Sequence, residues 1–338
     1  MRFFGVFLAG ILIALFLSGC GRETKDPITE TTVKSPVSQK AFPPTALAVT
    51  LDGFMGAENI GMLMAEKRGY FVDEGLEVRL GVPRRPRRPM RYVEERQDDL
   101  GVLQPPQLAI ARGKGVPVVA LGSVISHPTA AMISLNKSGI DSIGDLKGRT
   151  IGITGIPFQE LFLENVLERA DLTLDDVNLR TLDYDLVPAL LSGRADAIFG
   201  GAQNLEVIEL EKQGATPVVT PFEDLGIPQY EDLVIVAREN LLAEEPEAVR
   251  RFMAAVERGT AAAIENPRSA MRAIIDAPES NPEISREAVE AQVEATIPLL
   301  SMNGSIDSNQ LEELTKWMQT QGMIPEAVPA AALLSDQD

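Results

Sequence analysis

The chain holds one histidine, His127, and one cysteine, Cys20. A site built on two or more imidazoles or thiolates is therefore ruled out, and a Cys–His nucleophilic couple finds no support. No GxxxxGK[ST] loop, GxGxxG turn after a strand, GxSxG elbow, HExxH or CxxC occurs. What remains for chemistry is carboxylates, amides and helix starts. Asp52, Glu58 and Asn59 lie in a break between an apolar run and a helical pattern. Thr154 and Gly155 precede Pro157 at a second such break, where free backbone N–H groups can hold an anion or a carbonyl, or simply be capped. Asn204 and Glu206 follow Gly200-Gly201 at a third. A carboxylate in a first helical turn is favoured by the helix N-terminus and pairs well with a cationic or amidine-like ligand; the plainer reading is an ordinary acidic first turn. Carboxylates are plentiful, so carboxylate acid–base chemistry stays open. His127 has no partner cluster, which favours a local structural hydrogen bond over a ligand contact.

The elements that would position these residues alternate. Ala46–Leu51 reads as a buried strand. Ile60, Leu63, Met64 and Lys67 share helical spacing, and Leu76–Leu80 is a second strand. Strand, helix, strand requires a parallel or mixed sheet with helices on its faces, and such sheets bind ligands beyond the carboxyl ends of their strands. The pattern continues through strands near 98–103 and 116–122, crosses over near His127–Thr129, and resumes with strands near 130–135, 150–153, 175–182, 195–200 and 218–219. Leu233–Ala237 is a returning strand marking a second crossing, followed by four helices and a weakly structured tail. Gly81–Arg91 places five arginines among three prolines, which opposes a regular element. It reads as a solvated loop or as an anion-attracting rim beside the cleft.

The first residues form a different class. Arg2 precedes an uncharged apolar run that ends in Leu17-Ser18-Gly19-Cys20. A short basic start and one apolar stretch make a secretory signal, and the ending resembles the bacterial lipoprotein signal. Cleavage before Cys20 and acylation of that cysteine, with diacylglycerol on sulfur, are expected; the protein is then lipid-anchored at the cell membrane and faces the periplasm or exterior. With one cysteine no disulfide within the chain can form. Residues 20–43 lack apolar periodicity and read as a flexible tether. The formal net charge of −18 opposes nucleic-acid binding. The expected organisation is signal 1–19, tether 20–43, lobe I 44–127 plus 238–325, lobe II 128–237 and tail 326–338.

The marks AEKRGYF, EGLEV, Pro106-Gln107, GVPVV and DLKG, with the more specific Gly155-Ile156-Pro157, DLVPALLSG and Gly226-Ile227-Pro228-Gln229-Tyr230, run between about Thr45 and Trp317. On these the chain resembles the SsuA/THI5-like (NMT1-like) substrate-binding lipoproteins of ABC importers, nearest the branch that binds formylaminopyrimidine, a thiamine precursor. The resemblance implies an α/β type II periplasmic binding protein, two lobes with mixed sheets joined by two crossovers. It implies ligand contacts at Asp52, Glu58, Asn59, Gln104, Gln107, Thr154, Gly155, Pro157, Asp185, Asn204, Glu206 and Tyr230. Gly53 stands where that branch has an aromatic, Met55-Gly56 replace Pro-Asn and Glu58-Asn59 replace Asn-His, so a changed stacking wall is expected in the first lobe.

The expected function is capture of a small, pyrimidine-like heterocycle by a monomer, without cofactor or metal, for delivery to a permease and ATPase pair. A sulfonate, nitrate-like or other organic anion is the alternative within that class. A sensory or adhesion lipoprotein on the same fold is another. An enzyme is not expected; the enzymatic alternative is the pyrimidine synthase of the same fold, whose eukaryotic branch implies an active-site histidine, iron and a lysine-bound cofactor.

Overall fold

The computed structural model describes residues 44–335. The signal-like run, Cys20 and the whole of the expected tether lie outside them. Strand β1 (Thr45–Thr50) leads through a loop and a short 3-10 turn (Ala57–Asn59) into α1 (Ile60–Lys67) and α2 (Tyr70–Asp73). Next come β2 (Leu76–Gly81), α3 (Pro89–Glu94), β3 (Leu100–Leu103), α4 (Pro105–Gly113) and β4 (Val118–Ile125). The chain then builds β5 (Ala130–Leu135), β6 (Thr150–Ile153), α5 (Pro157–Glu168), β7 (Asn178–Thr181), α6 (Leu186–Ser192) and β8 (Ala197–Ala202). A π turn (Gln203–Val207), α7 (Ile208–Lys212) and β9 (Pro217–Pro221) complete this region. Strand β10 (Leu233–Arg238) precedes α8 (Glu239–Glu244), α9 (Pro246–Glu265), α10 (Pro267–Ile275), α11 (Arg286–Thr296), α12 (Ser308–Thr320) and α13 (Ala330–Leu333).

The described residues form two five-stranded sheets, in the orders β2-β1-β3-β10-β4 and β7-β6-β8-β5-β9. β1 runs parallel to β2 and β3, and β6 runs parallel to β7 and β8, while β10 and β5 enter antiparallel. This is the expected two-lobe mixed α/β architecture with two crossings. The carboxyl ends of the parallel strands of both sheets face one cleft, and so do the first residues of β5 and β10, because those strands are inverted.

Two boundaries differ from expectation. β10, placed by sequence at the end of lobe II, lies in the first sheet between β3 and β4. Every residue of it is buried, which suits a central strand covered on both faces. The second crossing is therefore 222–232. The tail expected at 326–338 is also packed where it is described. Leu333 of α13 is fully buried, Ile324 and Ala330 are buried beside it, and Leu334 bridges to Ala120 of β4. Burial of its alternating small apolar residues outweighs a composition rich in Ala and Pro.

Among the described residues, five α-helices have proline as their first residue, where the missing N–H has no helical partner to lose and the fixed φ is already helical. Two of them, α4 and α5, begin at the cleft. The longest described helix, α9, buries Val249, Phe252, Ala255, Val256 and Ala263 along one face, the i, i+3, i+4 stripe that a surface helix presents to a core. It packs on α1, and the 3-10 turn that leads into α1 lines the cleft.

Candidate functional site

A cavity of about 380 Å³ lies between the lobes. It is lined by the loops that follow β1, β2 and β3 on one side and β6, β7 and β8 on the other. Thr129 and Asp232, from the two crossings, also line it, as do residues 280–284 of the loop before α11 and Arg286 at the start of that helix. Its character is acidic. Asp52, Glu58, Asp183, Glu206, Glu209, Asp232 and Glu283 line it, against one basic side chain, Arg286.

Four of these carboxyls form its polar centre. Asn59 Nδ2 donates to Asp52 Oδ1 at 2.9 Å, which turns Asp52 toward the start of α1. Glu58 and Asp232 are buried, whereas Asp52 and Glu206 are half-buried. Glu206 Oε2 accepts the backbone N–H of Ala202 at 2.6 Å, and Asp232 accepts a hydrogen bond from the Thr129 hydroxyl. Among the described residues none of the four has a cationic side chain within 4 Å. Removal from water without a counter-charge favours the protonated form. Loss of hydration pushes Glu206 and Asp232 up to about 7. Glu58 is raised well above the carboxylate range, first by burial and then by Asp52, Asp232 and Glu206. Asp52 is raised by burial, opposed by the hydrogen bond from Asn59. The helix-start stabilisation expected for a charged Glu206 is thus overridden by desolvation, and residues 203–207 form a π turn rather than a regular first turn.

The mouth is closed by contacts between the lobes. Phe54 and Tyr184 meet with ring centroids 4.9 Å apart, Tyr184 Oη donates to the Pro83 carbonyl at 3.2 Å, and Arg87 Nη1 lies 3.6 Å from Asp183 Oδ1. The arginine loop is therefore neither free nor an anion rim at this point: Pro86 lines the cavity and Arg87 reaches an acid of the opposite lobe. Asn204 Nδ2 donates to Thr296 Oγ1 at 2.8 Å, and Gln292 Nε2 donates to the Leu205 carbonyl at 3.2 Å.

Of the residues expected from sequence, Asp52, Glu58, Asn59, Gln104, Thr154 and Glu206 line the cavity. Gln107, Gly155, Pro157, Asp185, Asn204 and Tyr230 are not among the lining residues. Gln107 lies behind Gln104 and donates to it at 2.7 Å. Thr154 gives its hydroxyl and its N–H to Gln159 Oε1, at 2.7 and 3.0 Å. Gly155 has φ +83 and lies against Thr181, so it shapes the loop rather than the ligand surface. Pro157 is exposed in the first turn of α5, Asp185 is exposed and pairs with Arg194 at 3.5 Å, and Tyr230 is buried in the core. Asn204 gives its Nδ2 to Thr296, while its buried Oδ1 has no partner. Gly200 is needed for a reason inside its own lobe: its φ is +88, and a Cβ there would stand 2.5 Å from Gln159 Nε2.

Phe54, Tyr184, Thr129 and Asp232 are lining residues that sequence reasoning does not reach. The aromatic absent at Gly53 is supplied one residue later by Phe54 and from the other lobe by Tyr184, so a stacking wall exists. The sequence signal for Asp232 is its place just before an apolar strand at the second crossing, which reads as a site only once β10 is known to be inverted. His127 pairs with Ser126 Oγ at 2.9 Å and is not among the lining residues. No lysine is among the residues that line the cavity, so the residues present do not fit the histidine, iron and lysine-bound cofactor implied for the synthase branch. Among the described residues no group of three or more His, Cys, Asp or Glu is placed to hold a metal ion, and no helix is long and apolar enough to cross a membrane.

Comparison with known proteins places this geometry in context. The family described as NMT1/THI5 like matches residues 57–270. The formylaminopyrimidine-binding protein of Halalkalibacterium halodurans is 28% identical over 327 residues, covering 95% of this chain and 94% of that protein. The 4-amino-5-hydroxymethyl-2-methylpyrimidine phosphate synthase of Schizosaccharomyces pombe is 23% identical over 279 residues, 79% of each. Among solved structures, the alkanesulfonate-binding protein SsuA of Xanthomonas axonopodis bound to MOPS superposes with a TM-score of 0.66 at 16% identity, over 87% of this chain and 99% of that one, a likeness of fold. The synthases correct one expectation: six such relatives, at 23–26% identity, overturn the exclusion of an enzyme drawn from missing catalytic motifs.

Proposed function

Since the chain belongs to the NMT1/THI5-like family, we propose that it is a solute-binding protein that encloses an aminopyrimidine-like heterocycle between its lobes and serves an ABC importer. The observation that carries this reading is the acceptor-rich cavity: seven acids, one arginine and an Asn59 Oδ1 that has no partner although the residue is buried. Such a wall costs desolvation energy until a ligand brings N–H donors or positive charge. An aminopyrimidine offers both a flat ring for Phe54 and Tyr184 and an edge of adjacent ring nitrogen and amino group. A carboxyl facing that edge accepts from the amino group, and in its protonated form, the form that burial favours at Glu58, it can donate to the ring nitrogen. A sulfonate, which offers only acceptor oxygens, would face a wall made mostly of acceptors and only one basic side chain. The relative matched over 94% of its length binds, by its name, formylaminopyrimidine, which agrees in chemistry.

Glu206 is assigned the main polar contact, with Asp52, Glu58 and Asn59 completing the edge. A permease and ATPase are the expected partners of the closed form, and Cys20 the lipid anchor at the membrane. Calorimetric titration with formylaminopyrimidine, 4-amino-5-hydroxymethyl-2-methylpyrimidine and an alkanesulfonate tests the reading. The pyrimidines bind and the sulfonate does not. Glu206→Gln weakens pyrimidine binding by about 1.5–3 kcal/mol, the range for a hydrogen bond to a charged group. Preference for the sulfonate, or undiminished pyrimidine binding by Glu206→Gln, would overturn it.

A further inference from the structure

The two chain crossings are fastened to each other inside the cleft. Asp232 ends the second crossing, one residue before β10, and Thr129 ends the first, one residue before β5. The Thr129 hydroxyl donates to Asp232 Oδ2, and the Asp232 N–H donates to the Ile125 carbonyl at the end of β4, at 2.9 Å. Both residues are buried, at 2% and 5% exposure, and both line the cavity. The Thr129 carbonyl accepts from Gln203 N–H at 2.9 Å, the first residue of the π turn that carries Glu206. A continuous path of hydrogen bonds thus leads from the first sheet through Asp232 and Thr129 to the turn that presents the ligand-facing acid of the second lobe.

We propose that Asp232 is a ligand-contacting carboxylate that joins occupancy of the cleft to lobe closure, with Thr129 as its positioning residue. One observation is the tie itself, which sits where the lobes must pivot, since a hinge needs few residues at the chain crossings. A second is the unpartnered Asn59 Oδ1, buried in the same cavity, which together with the acids calls for a donor-bearing ligand. A ligand whose N–H groups or positive charge satisfy Asp232 in the closed form, and not in an open one, shifts the equilibrium toward closure by that difference in affinity. The recognition half of this inference rests on the donor-bearing ligand proposed above, whereas the hinge half does not.

Three variants of the full chain separate the roles. Asp232→Asn keeps an acceptor for Thr129 and removes the charge. Thr129→Val keeps the charge and removes the tie. Thr129→Ser keeps the hydroxyl. Each is first checked for cooperative melting, then measured by small-angle scattering without ligand and by stopped-flow fluorescence with 4-amino-5-hydroxymethyl-2-methylpyrimidine. Trp317 reports closure in the second measurement, since its ring lies edge-on to Phe162 of α5 with centroids 4.9 Å apart. Asp232→Asn is expected to leave ligand-free scattering unchanged and to weaken binding about tenfold. Thr129→Val is expected to enlarge the ligand-free radius of gyration and to raise the dissociation rate several-fold with little change in association, and Thr129→Ser to restore both. Undiminished affinity in Asp232→Asn overturns the recognition role. Equal scattering and equal dissociation in Thr129→Val and Thr129→Ser overturn the hinge role. Failure of the wild type to bind the pyrimidine at all counts against the proposed ligand class and, with it, the recognition role; the scattering comparison then decides the hinge alone, equality overturning it.

Discussion

Glu206 and Asp232 share an enclosed space that withholds water, and each is held at about 7, against 4.5 and 3.8 for the free side chains. A carboxyl raised on folding binds its proton more tightly in the folded chain. Its stabilising contribution is therefore complete below the unfolded value and is lost as pH rises through the folded one. Ligand-free protein should accordingly melt at a lower temperature at pH 8 than at pH 5, a fall that calorimetry at constant ionic strength can follow. Asp232→Asn and Glu206→Gln remove a charge that the cavity disfavours, so each should flatten that pH profile and stabilise the ligand-free protein at pH 8 by about 1–2 kcal/mol. Ligand affinity should move the other way. An amino group donates more strongly to an ionised carboxylate than to a protonated one, so an aminopyrimidine held by Glu206 and Asp232 should bind more tightly as pH rises from 6 to 8.

Helix α1 carries Glu58 and Asn59 at its entrance, and its seat on α9 decides where they point. That seat is built on two glycines. A Cβ on Gly259 would stand 2.0 Å from the Gly61 carbonyl oxygen and 2.7 Å from the Ala65 nitrogen. These are backbone atoms, which cannot rotate aside as a side chain can. Gly259→Ala should force the helices apart and cost about 1–3 kcal/mol, the usual penalty for overpacking, read as a lower midpoint in urea. Ligand affinity should fall in the same variant, because the displaced element bears two of the proposed contacts. Gly322→Ala is the comparison: its φ is positive, but a methyl added there would meet no atom within 4 Å. That variant should lose stability through backbone strain alone and leave binding unchanged.

The lobes are held together by unequal contacts. The Arg87–Asp183 pair is about one-third exposed on each side and 3.6 Å long, a geometry worth about 0–1 kcal/mol. Tyr184 contributes ring contact with Phe54 and a hydrogen bond to Pro83. Arg87→Ala should therefore barely change the rate at which ligand leaves, whereas Tyr184→Ala should raise it roughly tenfold, from a lost ring pair together with a lost hydrogen bond. Stopped-flow displacement of bound pyrimidine measures both. Equal rates in the two variants would place the closing energy elsewhere, in the apolar packing of α12 against α5.

Alternation of apolar strands with helices of 3.6-residue period was sufficient to indicate two mixed sheets and a cleft at their strand ends, because these periods depend only on local geometry. Asp52, Glu58, Asn59 and Glu206 were legible as strand-end or helix-start acids and amides. Other features depended on residues far apart in the chain. Asp232 faces the cavity because β10 enters the first sheet inverted, and nothing local to that residue states its direction. Phe54 and Tyr184, 130 positions apart, become one aromatic wall only when the lobes meet. Gly200 lines the cavity, but its need for glycine comes from its positive φ and its close approach to Gln159. The charge state of the cleft also belongs to the tertiary structure. A sequence shows which carboxyls exist, but their protonation is set by how much water the closed lobes exclude and by how near the other acids stand.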